Sequence, residues 1–290
     1  MIHVAILCVC AITVTDGFIY QAQGPLSRTR GIVRPNAASS REANRCGLSM
    51  SVLSPLMDEL TTFFDLKETD YSDAMGASFS RGDLTAKCVW LDEKMGSKLT
   101  GVSSSTINKG DDAVSFVNAW MGPTSFVPHM MLSVGKNCEG HFLEADYVPR
   151  GQFAFGSDAS YVENYYDTPE ILTWYADAVS KGKHMVPPDS FSGRLLRSPV
   201  YIKMGGLSEG DAMALAQQHL SRWLEWIENA TPSEARQRGG LNVRDDKLRQ
   251  FAFRANLVYA KSITSSDDDA KALAAGLTGP LAEAYVGGGS

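Results

Sequence analysis

Between Lys87 and Tyr147 the apolar residues recur with a period of two, and beyond Arg150 the period lengthens to that of a helix. A chain patterned this way makes strands first and helices after, so the helices must cover a sheet built from neighbouring strands. The alternation predicts strands over residues 87–91, 98–108, 113–121, 125–134 and 141–148. Short glycine-containing turns separate them, and an antiparallel meander is the simplest topology. A first helix is expected over 51–65, with Ser54-Pro55 as its cap and first turn. Later helices are expected over 161–166, 169–180, 208–229 and 244–263, and a last one from near Asp267. In the 244–263 helix, Leu248, Phe251, Ala252, Ala255 and Val258 make the inward stripe. A loop carrying Pro187-Pro188 and Ser198-Pro199 precedes residue 208. The expected fold class is α+β: a three-layer α/β/α sandwich with a central antiparallel sheet.

The first residues do not belong to that domain. Val4 to Val14 is an apolar run of signal-peptide length, too short to span a bilayer. Residues 18–45 then carry five arginines against one glutamate, the composition of a transit segment. The expectation is a signal peptide over 1–17, a plastid transit segment over 18–46 and a single domain over 47–290. The alternative is an ordinary secreted protein, for which Asn229-Ala230-Thr231 is a glycan acceptor that Pro232 disfavours. Removing the five basic and two acidic residues of 1–46 from totals of 27 and 33 leaves 22 against 31, a net charge of −9. Non-specific nucleic-acid binding is therefore not expected. Only Cys88 and Cys138 lie well inside the body, which excludes a disulfide framework or a four-thiolate cluster.

Common cofactor signatures are missing: no G-x-G-x-x-G, no phosphate-binding loop, no H-E-x-x-H, no G-x-S-x-G. The five histidines are scattered, and no metal site is expected. The informative stretch is Ser125 to Arg150, two apolar runs around a turn at 135–140. Pairing Val134 with His141 sets His129 opposite Asp146, on a face shared with Val127, Met131, Phe142 and Glu144. A histidine and carboxylates among apolar groups have the surroundings of a proton donor and acceptor. The same spacing fits a structural His–Asp pair tying two strands together. A slip of one residue would separate the two groups, and Pro128 implies an edge or bulge nearby.

The segments FVPHMML, LEADYVPRGQFAF, YVENYYDT, SPVYIKM and VRDDKLRQF occur in an order that resembles the red chlorophyll catabolite reductases, over roughly residues 50 to 265. The structural relatives of that family are the ferredoxin-dependent bilin reductases. The resemblance implies an α/β/α sandwich holding an open-chain tetrapyrrole between sheet and C-terminal helices. It implies His129, Asp146 and Asp246 as catalytic residues, although plant members have a glutamate at the position of His129, which leaves the pigment open. Met131 and Glu144 would line the pocket. Arg150, Arg194 and Arg197 are candidates for the pigment's propionates, because guanidinium binds carboxylate bidentately.

Such a reaction takes single electrons from reduced ferredoxin as external donor and needs no bound cofactor. An acidic reductase needs a local basic patch to meet acidic ferredoxin, and Arg236, Arg238, Arg244, Lys247 and Arg249 are clustered in sequence. The implied reaction is reduction of red chlorophyll catabolite; the alternatives are a bilin reductase and a non-catalytic tetrapyrrole binder. Family members suggest a homodimer, and the presequence a plastid location with no stable membrane span after processing.

Overall fold

The computed structural model describes residues 49–69, 78–94, 98–150, 159–185 and 191–280. The expected presequence lies outside them. The chain runs α1 (Ser49–Phe64), β1 (Leu66–Thr69), β2 (Ser78–Arg81), β3 (Leu84–Glu93), β4 (Leu99–Lys109), β5 (Asp112–Met121), β6 (His129–Asn137) and β7 (Gly140–Val148). It continues with α2 (Ala159–Tyr165), α3 (Pro169–Lys181), β8 (Lys183–His184), α4 (Phe191–Leu196), β9 (Ile202–Leu207), α5 (Glu209–Glu228), α6 (Ala235–Ile263) and α7 (Asp267–Thr278).

The alternating residues of β3 to β7 pair in sequence as an antiparallel meander. Strand β1 extends the sheet beyond β3, and β9 and β8 extend it beyond β7. On one face Leu56 and Leu60 of α1, Ile171 and Trp174 of α3 and Leu220 and Trp223 of α5 close a continuous core. On the other face α4, α6 and α7 lie over Trp90, Trp120, Met131 and Val148. This is the expected three-layer α+β sandwich with a central antiparallel sheet. No helix among the described residues is long and apolar enough to cross a membrane.

Several elements differ from the sequence pattern. Strand β6 begins only at His129, because Pro128 donates no ladder hydrogen bond and residues 125–128 run as a connection. Strand β9 and helix α4 lie in what reads as a loop; β9 is short and contains Gly205-Gly206, so its alternation is weak. Helix α1 starts at Ser49 with Pro55 inside it. Helix α6 starts at Ala235, well before Arg244, on a capping box between Glu234 and Gln237 that ties down the first free N–H groups. Val258, expected inward, is 48% exposed.

The β6–β7 hairpin closes on a two-residue turn, Cys138-Glu139, and not over 135–140. The Glu139 N–H donates to the Asn137 side chain at 3.0 Å, and Gly140 takes φ of 118°, a conformation that favours glycine. Gly135 stands opposite Phe142, whose ring fills the space a Cβ at 135 would need. His129 therefore pairs with Val148, and Asp146 with Met131. The shift from the expected pairing is two residues, so His129 and Asp146 keep a common face as diagonal neighbours, about 7 to 8 Å apart by strand geometry.

Candidate active site

The face that carries His129, Met131, Glu144 and Asp146 looks toward α4 and α6. Trp90, Trp120, Val148, Leu196 and Ala252 are buried in this layer, and Met131, Leu248, Phe251 and Ala255 pack against them with partial exposure.

Asp146, 4% exposed, is the buried carboxylate of this face. The loop after α4 holds it: the Ser198 hydroxyl donates to Oδ1 at 2.5 Å, and the Ser198 N–H lies 3.2 Å from Oδ2. Burial pushes its pKa up to about 7, and the two Ser198 donors pull against that rise. Beside it, Glu144 accepts from the Tyr201 hydroxyl at 2.7 Å and pairs with Lys203 at 3.0 Å. The Arg197 guanidinium stacks on the Tyr201 ring at 4.7 Å. These groups put positive charge and a hydroxyl next to a carboxyl that changes protonation near neutral pH.

His129 lies deeper, fully buried edge-on to Trp120. The Met121 N–H donates to its Nδ1 at 2.9 Å, so the neutral ring carries its proton on Nε2 and donates to Asp245 at 3.1 Å. Burial holds its protonation below the ordinary range despite the Asp245 charge. Both nitrogens are thus bonded to protein groups, and the ring does not stand beside Asp146 as a second proton donor.

Arg150, expected to meet a propionate, is wholly buried and bound within the protein. Its Nε and Nη2 grip Asp245 bidentately at 3.0 and 2.5 Å. Its remaining N–H groups reach the carbonyls of Gly122, Ser125 and Val127. All five guanidinium donors have acceptors, and the connection from β5 to β6 is tied to α6. Burial works against the charge on Asp245, but His129 and Arg150 together hold its pKa below the ordinary value.

The carboxylate of α6 that faces the sheet is therefore Asp245, and Asp246 is exposed. Successive helical residues are about 100° apart, so moving the inward stripe back from Leu248 and Ala252 selects 245. Arg194 is exposed on α4. Of the five clustered basic residues, Arg236, Arg238 and Lys247 are exposed. Arg244 bonds the Arg150 carbonyl and Arg249 lies over Trp90. His129, Asp146 and Asp246 do not converge on one cavity. A groove of about 460 Å³ lies on the opposite side of the sheet, between α3 and α5, lined by Glu170, Trp174, Asp177, Gln218 and Arg222. Sequence reasoning missed Ser198, Tyr201, Lys203 and Asp245.

No family model and no curated protein matches the chain. Among solved structures, its fold is similar to that of phytochromobilin synthase from tomato in complex with biliverdin, with a TM-score of 0.62 and 14% identity over 81% of this chain and 86% of that one.

Proposed function

We propose that the chain is a ferredoxin-dependent reductase of an open-chain tetrapyrrole, with red chlorophyll catabolite as the first candidate substrate. Biliverdin is the alternative, favoured by His129 where the plant catabolite reductases have glutamate and by a fold shared with a protein solved with biliverdin. The observation that carries the proposal is Asp146, a buried carboxyl with a pKa of about 7 on the sheet face covered by α4 and α6. A carboxyl half-protonated near neutral pH can both give up and recover a proton.

In this reading electrons arrive singly from reduced ferredoxin and the conjugated pigment holds the intermediate radical. The protein supplies orientation and protons. Asp146 donates to the reduced pigment, while Arg197 and Lys203 meet its propionates. Arg150, Asp245 and His129 hold the frame. The same reading carries a plastid location through the N-terminal 46 residues and a homodimer.

The test is anaerobic turnover of the full chain with reduced ferredoxin and each pigment, followed by absorption. Bleaching of one pigment is expected, and Asp146→Asn should slow it by about 10² to 10³ while pigment binding persists. Tight binding of pigment with an unchanged spectrum after electron supply would instead identify a sequestering protein. If neither pigment binds or reacts, the proposal fails.

A further inference from the structure

Helix α6 has an outward face of unusual composition. Arg236, Val243, Lys247, Arg254, Val258 and Lys261 are all exposed and follow one another at intervals of seven, four, seven, four and three residues. At about 100° per residue they fall within about 40° of a single line, roughly 38 Å long. The acids of α6 are Asp245, buried on the opposite side, and Asp246, about 80° away from the line. Glu234 pairs with Arg236 and Asp267 with Lys261 at the two ends, and these exposed pairs contribute little. Lys247 and Arg254 occupy the centre, flanked by Val243 at 59% and Val258 at 48% exposure. A chain with a net charge of −6 thus gathers cations and bare valines on one helix face.

We infer that this face of α6 is the docking surface for the acidic one-electron donor. The inference rests on the proposed reductase reading and locates its partner. Cations without acids between them attract an acidic protein, and the valines supply apolar contact inside a charged rim. Position favours the same occupant. The inner side of α6 packs Leu248, Phe251 and Ala255 with Met131 on the sheet face that carries Asp146. A donor on the outer side is then separated from that sheet face by one helix diameter, about 10 to 12 Å.

The experiment measures binding of purified plant-type [2Fe–2S] ferredoxin to the full chain by surface plasmon resonance at several salt concentrations, with no pigment present. Lys247→Glu with Arg254→Glu should slow association about tenfold or more at low salt and flatten the salt dependence. Lys247→Gln with Arg254→Gln should fall between, and Lys67→Glu, on an exposed position of β1, should leave the rate unchanged. Circular dichroism confirms that each variant is folded. The inference is overturned if the double reversal binds ferredoxin like the unaltered chain, or if it loses binding only to vesicles of phosphatidylserine and phosphatidylcholine. Ferredoxin binding that responds as stated, without pigment turnover, would retain the docking surface and reject the reductase reading; turnover unaffected by the reversals would do the opposite.

Discussion

The Ser198 hydroxyl donates to Asp146 Oδ1 at 2.5 Å and itself accepts the Val200 N–H at 3.2 Å. The Ser198 N–H also reaches the carboxyl, 3.3 Å from Oδ1 and 3.2 Å from Oδ2. Ser198 thereby favours the ionised form against the burial that disfavours it.

Ser198→Ala should raise the pKa of Asp146 from about 7 by about one to two units, the equivalent of one hydrogen bond to a charged group. Ser198→Thr, which keeps the hydroxyl, should restore it. The carboxyl stretch in infrared difference spectra against Asp146→Asn reads the shift without any substrate. The high-pH limb of pigment turnover should move up with it. An unmoved carboxyl band in Ser198→Ala would refute the assignment.

Asp146 and His219 should oppose each other in the dependence of stability on pH. Asp146 is raised from 3.8 to about 7, so the folded state holds the extra proton in that window and stability falls as pH rises through it. His219, fully buried and stacked on Tyr147 at 3.9 Å, is lowered by burial from 6.5 to about 3. Here the unfolded chain holds the extra proton, so stability is lost as pH falls from 6.5 toward 3. Each effect is on the order of 4 to 5 kcal/mol and the two largely cancel between pH 4 and 6.5. Asp146→Asn should unmask a rise of stability with pH, and His219→Phe a fall, in urea melts across that range. Parallel curves for the two variants would contradict both.

Asp245→Ala leaves the buried Arg150 guanidinium without its carboxylate and should cost about 3 to 5 kcal/mol in chemical denaturation. Asp246→Ala, at an exposed position one residue on, should change stability by no more than about 0.5 kcal/mol. Equal effects at the two positions would mean that the facing of α6 is wrong.

Trp90 is held between two glycines. A Cβ at Gly101 or at Gly279 would run into its ring, and Gly279 has a φ of 87°. Gly279→Ala should destabilise the protein by at least about 2 kcal/mol and disturb Trp90 fluorescence, whereas Gly239→Ala, which meets open space, should be neutral or slightly stabilising. An unperturbed melting temperature in Gly279→Ala would rule out this contact.

The meander was legible because each of β3 to β7 alternates over nine or more residues and short turns leave adjacent pairing as the simplest arrangement. The helices of the second half were legible from their stripes. Strand β9 was not, since six residues with two glycines carry little periodic signal. The common face of His129 and Asp146 followed from counting in steps of two, which survives a register error of two residues. The pairing itself depended on how Phe142 packs over Gly135 and on the turn at Asn137, which the pattern does not specify.

The sequence by itself determined the layers, since the period of the apolar residues dictates which side of each strand and helix must leave water. Tertiary structure decided the partners. Ser198 meets Asp146 across 52 residues, and Asp245 joins Arg150 across 95 and His129 across 116. Periodicity is a local property, whereas the ionisation of a buried carboxyl depends on the burial and the donors that distant segments bring to it.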